Sequence, residues 1–195
     1  MSRPPLRWAV LALPVLLAGC ATSEAAVGST QATTAGGTTG STTGSTTASD
    51  AGGPPETTAM VCGDEIRDKV QQVLALPDRP ATESRWADST LTCTYRLPMG
   101  PMTLTVQVLP GAAQAHTALD TGRAAIPGAH DLAGLGELAY GDDAGRVGVL
   151  KDAEVLTVDT TALPVQFGVN EQKRTDLAFE VASDVLGCWT GDGDE

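Results

Sequence analysis

The sequence is poor in aromatic residues, poor in basic residues and without a long hydrophobic run. Phe, Trp and Tyr make up 4% of the 195 residues, and Lys and Arg number 12 against 24 Asp and Glu. Few aromatic side chains leave little to stack against sugar rings, and the acidic balance speaks against a basic surface for nucleic acid. The longest apolar stretch is shorter than the roughly 20 residues that a membrane-spanning helix needs.

Sequence motifs of catalytic and metal sites are also missing. There is no G-x-S-x-G, H-E-x-x-H or S-x-x-K, and no C-x-x-C or H-x-x-x-H unit. His116 in an Ala-rich helix and His130 in a Gly/Pro loop have no identifiable nucleophile beside them, so we interpret both as exposed or half-exposed side chains. A pair of carboxylates that hydrolyses cell-wall polysaccharide needs only two acidic residues that meet in a cleft, and such a pair has no sequence motif. The sequence nevertheless favours a protein that is not an enzyme and holds no metal or cofactor.

The N-terminus has the pattern of an export signal. Arg3 and Arg7 precede an apolar run from Trp8 to Gly19 that is interrupted only by Pro14. Such a run, if helical, spans about 18 Å, which is less than the roughly 30 Å of a membrane's hydrocarbon core. We therefore interpret residues 1–19 as a signal peptide and not as a membrane anchor.

The signal ends in Leu17-Ala18-Gly19-Cys20, which resembles the bacterial lipobox. The resemblance implies that the Cys20 sulfur receives a diacylglycerol and that the chain is cleaved before this residue. Two acyl chains, at about 0.8 kcal/mol per buried CH₂, anchor a protein stably where one chain is marginal. We expect the membrane to be a partner through this lipid, with the protein on the extracytoplasmic face of the cell membrane. The alternative is an ordinary signal peptide with a chance cysteine.

A segment of small polar residues follows the lipobox. Between Ala21 and Thr58 there is almost no apolar residue larger than Ala, and Gly37 to Thr47 repeats a Gly/Ser/Thr unit. A segment of this composition cannot bury enough apolar surface to offset the entropy of ordering. We expect residues 20–58 to comprise the lipidated cysteine and a disordered tether with a root-mean-square span of about 34 Å.

The remainder suits one domain, residues 59–190, with an acidic tail at 191–195. Removal of Arg3 and Arg7 with the signal leaves ten of the 12 basic residues against 24 acidic ones, a formal charge of −14. The tail and the pair Asp142-Asp143 lack the spaced carboxylates of a calcium loop. We interpret both as solvent-facing.

Periodicity predicts an α+β domain in the order α-β-β-α-β-β-α, an antiparallel sheet with helices packed on it. The predicted elements are a helix over 63–75, a hairpin of 91–97 and 103–108 with its turn at 98–101, a helix over 112–125, a second hairpin of 146–151 and 154–160, and a closing helix over 170–186 capped by Gly187.

Three cysteines remain once Cys20 is lipidated. Cys62, Cys93 and Cys188 lie in an exported domain, where disulfides persist, and three pairings are possible. The sequence does not rank them. A Cys62–Cys93 bond would leave Cys188 odd, either to pair with Cys62 instead or to stay buried as an apolar thiol. We expect a structural disulfide in preference to metal binding or redox chemistry.

Three motifs of the domain resemble an actinobacterial lipoprotein family, domain-of-unknown-function 3558. They are Cys62 opening a helix, Cys93-Thr94-Tyr95 on a strand, and the segment from Gly134 to Gly141 before paired strands. The resemblance covers most of the chain from Ala59 to Trp189 and implies a Cys62–Cys93 disulfide. It implies no catalytic residue. More distantly, the layout resembles extracytoplasmic sensor domains of actinobacterial Ser/Thr kinases, which favours a binding role only by fold analogy.

The segment Gly134 to Ala139 fits the loose form G-x-G-x-x-G/A of a dinucleotide loop. That loop needs a strand before it and a helix after it, and the sequence before Gly134 is not typical of a strand. We interpret the glycines as turn residues, with Leu135, Leu138 and Tyr140 packing inward.

The sequence therefore predicts a lipid-anchored, non-catalytic binding or sensing module at the cell envelope. Its partner is an unidentified protein or small molecule and not a nucleic acid. An accessory or structural subunit of an envelope complex is the alternative, and an enzyme acting on the cell wall is a weaker one.

Overall fold

The computed structural model describes residues 52–168 and 171–191. Cys20, most of the predicted tether and the acidic tail after Gly191 lie outside these residues. The helices are α1 Glu56–Ala59, a 3-10 turn Met60–Cys62, α2 Asp64–Val73, α3 Ala112–Ala124 and α4 Arg174–Gly191. Along the described chain, no helix combines the length and apolar character needed to cross a membrane.

The predicted α+β class is confirmed by an antiparallel sheet of seven strands in the order β1-β2-β3-β7-β6-β5-β4. Two further strands, β8 and β9, form a separate small pair. The strands are β1 Ala81–Ala87, β2 Thr90–Leu97, β3 Gly100–Val108, β4 His130–Asp131, β5 Leu138–Gly141, β6 Arg146–Lys151, β7 Glu154–Asp159, β8 Gln166–Phe167 and β9 Gln172–Lys173.

Both predicted hairpins are present, as β2-β3 and β6-β7. The turn of the first is shorter than expected, since Leu97 pairs with Gly100 and only Pro98 and Met99 lie between the strands. Gly100 has a φ of +138°, and a Cβ there would lie 2.8 Å from the carbonyl oxygen of Ala162. The positive φ and the close approach of the Ala162 backbone explain why position 100 is a glycine.

Strands β1, β4, β5, β8 and β9 were not predicted. β1 lies at the sheet edge with its central residues exposed, so its sequence has no apolar alternation to indicate a strand. The other four strands have two or four residues each, too few to show a period.

The main core lies between one face of the sheet and the helices α2 and α4. Alternating residues of the strands point to this side, and each is matched by an apolar residue of the neighbouring strand: Leu91 with Val106, Cys93 with Leu104, and Tyr95 with Met102. Ile66 and Val70 lie four residues apart on one face of α2, within the helix predicted over 63–75, and Leu177 and Val181 lie on α4. The core residues shield the central strands of this face from solvent, whereas Ser84 on the edge strand β1 is exposed.

The opposite face carries a smaller core under α3. Ala115 and Leu119 of this helix pack against Tyr140, Leu150 and Val155 on β5 to β7. Strands β1 to β3 have polar residues on the same side. One half of this sheet face is therefore covered by α3, and the other half is open.

The closing helix extends beyond the predicted end. It runs to Gly191, and Gly187 is an interior residue of the helix, so the predicted cap is wrong. Cys188 and Trp189 are 5% and 8% exposed and continue the apolar side of α4 beyond Val185. Their burial stabilises the last turn by more than a helical glycine costs, which is about 1 kcal/mol.

The domain also begins earlier than predicted. α1 starts at Glu56, Thr58 is fully buried, and the indole N–H of Trp189 donates to the carbonyl oxygen of Thr57 at 3.0 Å. The boundary placed between residues 58 and 59 is thus wrong by at least three residues, because these threonines resemble the tether in composition but pack against the domain.

Candidate functional site

The Cys62–Cys93 disulfide is present, with the two Cα atoms 5.7 Å apart. It joins the 3-10 turn to β2, and the phenol of Tyr95 on the same strand donates to the carbonyl oxygen of Val61. Tyr95 is fully buried, and this burial raises the pKa of its phenol. These contacts fix the helical N-terminal segment on the core and have a structural role.

Cys188 is buried within α4 and is not part of this disulfide. The sequence had left open a bond between Cys62 and Cys188, and the Cys62–Cys93 bond excludes it. Cys20, the predicted lipidation site, lies outside the described residues.

The loop Gly134–Glu137 does not have the geometry of a dinucleotide site. It leads into strand β5 and not into a helix. The expectation that no strand precedes the loop is wrong, because β4, His130–Asp131, lies just before it; two residues are too few to show a strand pattern in the sequence. Gly136 has a φ of +54°, and a Cβ there would lie 2.5 Å from the carbonyl oxygen of Leu150. Leu135 and Tyr140 are buried as expected, but Leu138 is 46% exposed, because β5 lies near the sheet edge and α3 does not reach over it.

His130, Asp142 and Asp143 are brought together at one cleft of about 390 Å³, which Phe179 also lines. The interpretation of Asp142 as solvent-facing is wrong: it is 6% exposed. Its Oδ1 accepts the backbone N–H of Arg146 at 2.8 Å, and its Oδ2 accepts the Nε–H of the same residue at 2.8 Å. Both carboxylate oxygens of Asp142 thus accept hydrogen bonds within the β5-β6 turn, whereas Asp143 and His130 are exposed.

Neither histidine lies in an arrangement typical of catalysis. His116 is exposed on α3, and the Nδ1 of His130 lies 3.5 Å from the carbonyl oxygen of Gly128. In ranges 52–168 and 171–191, no group of three or more His, Cys, Asp and Glu side chains is placed to hold a metal ion. The open half of the sheet face is the stronger candidate site.

That open surface carries four threonines, which we call the threonine face: Thr92 and Thr94 on β2, Thr103 and Thr105 on β3. Thr92 is paired with Thr105, and Thr94 with Thr103. Paired residues have Cβ atoms about 5 Å apart, and residues two apart along a strand are separated by about 7 Å. The four side chains, each partly exposed, therefore form a regular array of hydroxyl and methyl groups.

A cleft borders the threonine face on each side. One, of about 570 Å³, lies along α3 and is lined by Gln107, Ala113, Gln114, Thr117, Ala118 and Thr121. The other, of about 590 Å³, is lined by Glu83, Ser84, Arg85, Thr92 and Thr94. The lining residues are two glutamines, two alanines and residues with hydroxyl groups, together with one acidic and one basic residue.

The charge of this surface differs from that of the whole chain. Glu83 is neutralised by an ion pair with Arg96, and Arg85 adds a positive charge. The threonine face can therefore contact a neutral or acidic partner that the remaining acidic surface would repel. Its hydroxyls and amides both donate and accept hydrogen bonds, which suits peptide groups of another protein.

The predicted β2-β3 hairpin already contained this face. Once Leu91, Cys93 and Tyr95 are assigned to the core, the period of two places Thr92 and Thr94 on the other side. What could not be seen was that α3 stops short of β2 and β3 and that β1 extends the face. Both depend on contacts between segments distant in the chain.

No protein-family model matches the chain, and no curated protein matches it either. The resemblance to domain-of-unknown-function 3558 thus rests on the sequence motifs.

Proposed function

We propose that this protein is a lipid-anchored module on the extracytoplasmic face of the cell membrane that binds another envelope protein through the threonine face. It performs no catalysis. The observation that carries the binding role is the half of the sheet face left open beside α3, flanked by two clefts. The same proposal includes kinship with domain-of-unknown-function 3558, which the Cys62–Cys93 disulfide supports.

The closely filled interior favours a protein partner over a small apolar ligand. Tyr95, Met102, Leu104 and Leu156 are fully buried between the sheet and the helices α2 and α4. Binding a lipid there would require these side chains to move apart. The clefts of the threonine face open on the surface, where a protein partner can reach them.

The anchoring part of the proposal is supported by the lipobox and is tested by metabolic labelling of the full-length protein with a fatty-acid probe. We expect label on the wild-type protein and on Cys188→Ala, and none on Cys20→Ala. Label that persists in Cys20→Ala would contradict the proposal.

The binding part is tested by photo-crosslinking of the full-length protein in its native membranes. A benzoylphenylalanine at Thr105, on the β3 side of the threonine face, is expected to give a discrete adduct that Thr92→Lys on the same chain abolishes. The matched control is the same probe at exposed Lys173 on β9. Adducts of equal yield from both positions, or an adduct unaffected by Thr92→Lys, would overturn the assignment of this face.

A further inference from the structure

Strand β1 is an edge strand whose centre is uncovered on both sides. It pairs with β2 only and ends the sheet. Glu83, Ser84 and Arg85 are consecutive and all exposed, although neighbouring residues of a strand point to opposite faces. Within β1 there is neither a proline nor a lysine of the kind that protects edges in other proteins. The strand is therefore available for pairing with another chain.

The β1-β2 turn determines which backbone groups of β1 face outward. Asp88 and Ser89 have φ values of +51° and +53°, as in a two-residue turn of type I′. In such a hairpin the residues flanking the turn, Ala87 and Thr90, exchange both hydrogen bonds. Alternation then directs the N–H and C=O groups of Thr82, Ser84 and Trp86 to the open edge.

The sequence of β1 is complementary to itself when a second copy is laid against it antiparallel. With Ser84 opposite Ser84 of the second copy, Glu83 faces Arg85, Thr82 faces Trp86, and Ala81 faces Ala87. All the outward backbone groups are then paired, in about six hydrogen bonds. We propose that β1 pairs with β1 of a second copy of this chain, antiparallel and centred on Ser84, which joins two sheets across a two-fold axis.

Charge selects this register. Glu83 already pairs with Arg96 of its own chain, and Arg85 of the second copy would lie on its other side. Arg85 forms no ion pair along residues 52–168 and 171–191, so the dimer supplies one. Registers centred on Glu83 or on Arg85 would place like charges directly opposite each other, which is unfavourable.

Trp86 lies at the same edge and has an unpaired donor within the described residues. Its indole N–H is buried and has no hydrogen-bond acceptor in the part of the chain that the structure describes. In the proposed register the residue opposite Trp86 is Thr82 of the second copy, which brings a hydroxyl oxygen to this side of the sheet.

A cysteine on the two-fold axis tests the register directly. Paired residues with both hydrogen bonds have Cα atoms about 5.5 Å apart, within the range of a disulfide. Full-length Ser84→Cys in membranes is therefore expected to give a covalent dimer on mild oxidation. Thr82→Cys is the matched control, because two Thr82 residues would lie about 13 Å apart along the strands. No dimer from Ser84→Cys, or equal yields from both variants, would overturn the proposal.

Charge reversal gives a second measurement on the Ser84→Cys background. Arg85→Glu places two pairs of like charges across the interface and is expected to lower the dimer yield by about tenfold. Glu83→Arg is expected to do the same, and the double variant E83R/R85E is expected to restore the yield. The double variant also shows that loss in either single variant is not misfolding. Unchanged yields in the single variants, or no recovery in the double variant, would contradict pairing through β1.

Discussion

Thr58 donates a hydrogen bond from its hydroxyl to Oε1 of Glu154 at 2.8 Å and joins the first helix of the domain to β7, 96 residues later. Burial raises the pKa of the Glu154 carboxyl, and the bond from Thr58 opposes this rise. The neighbouring bond from Trp189 to Thr57 attaches α4 to the same segment. The point at which the predicted tether enters the domain is thus held by both the sheet and the last helix.

Thr58→Val removes the donor while keeping the shape of the side chain. We expect a loss of about 1.5–3 kcal/mol of stability at neutral pH, the usual cost of losing a hydrogen bond to a charged group. Urea unfolding measures it. Because the pKa of Glu154 would rise further, the loss should shrink as the pH falls and the carboxyl is protonated. In a Glu154→Gln background the cost should be smaller, and an equal cost there would show that the charge is not involved.

Reduction of the Cys62–Cys93 disulfide is expected to cost about 3.5 kcal/mol of stability, from the entropy of the loop that it closes. Guanidinium unfolding with and without reductant measures this difference. Cys188→Ala is the control, because that residue lies outside the bond. The variant should retain the full difference, whereas Cys93→Ala should abolish it. A difference lost in Cys188→Ala would contradict the assigned pairing.

Much of the fold could be predicted because the relevant signals are local. The period of two in β2 and β3 and the four-residue spacing of Ile66 and Val70 each reflect one face packed on one core. β1 could not be predicted, because an edge strand whose central residues are exposed has no alternation of apolar and polar residues. The predicted end of α4 is wrong because a glycine such as Gly187 is typical of a helix C-terminus. The helix continues past it because burial of Trp189 stabilises the following residues in the helical conformation.

Some of the site residues could likewise be predicted from local sequence, and others could not. The disulfide was implied by motif resemblance, and the threonine face follows from alternation once the core side is known. Asp142 could not have been foreseen as buried, because its environment is made by a turn whose backbone N–H groups point at its carboxylate. The dimer edge depends on sheet order, which the sequence of β1 does not encode locally.

Asp142→Ala is expected to destabilise the domain by about 2 kcal/mol, because the backbone N–H groups of Ala144 and Arg146 lose their acceptor. Thermal unfolding provides the measurement. Asp143→Ala changes the neighbouring exposed acid and should shift stability by no more than about 0.5 kcal/mol. Equal effects of the two substitutions would mean that net charge, and not the turn, is responsible.

Gly148→Ala is expected to destabilise the packing of α3 on the sheet. A Cβ at Gly148 would lie 2.3 Å from the ring of Tyr140, and the hydroxyl of Tyr140 lies close under Gly122 of α3. The ring has little room to move, so we expect a cost of about 1–3 kcal/mol and altered near-ultraviolet circular dichroism. Gly187→Ala is the matched control: apart from its chain neighbours and the backbone of its own helix, no atom lies within 4 Å of its Cβ position, and alanine there should stabilise α4 by about 0.5–1 kcal/mol.

Asp184 on α4 predicts a pH dependence of opposite direction to that of an ordinary salt bridge. Burial raises the pKa of its carboxyl above the usual value, and Lys69 on α2 only partly opposes this rise. The folded state therefore binds the proton more tightly than the unfolded state, and this group's contribution to stability falls as the pH rises through the two pKa values.

Asp184→Asn should remove that contribution. We expect the variant to be more stable than the wild-type protein at pH 7, by about 0.5 kcal/mol for a partly exposed group, with the difference vanishing or reversing near pH 3. Unfolding curves recorded from pH 3 to 7 test the sign. Asp78→Asn, at an exposed position of the loop before β1, controls for the removal of one negative charge from an acidic chain. A variant that is less stable than the wild-type protein at pH 7, with this deficit vanishing at low pH, would mean that Asp184 is stabilised by Lys69 more than it is penalised by burial.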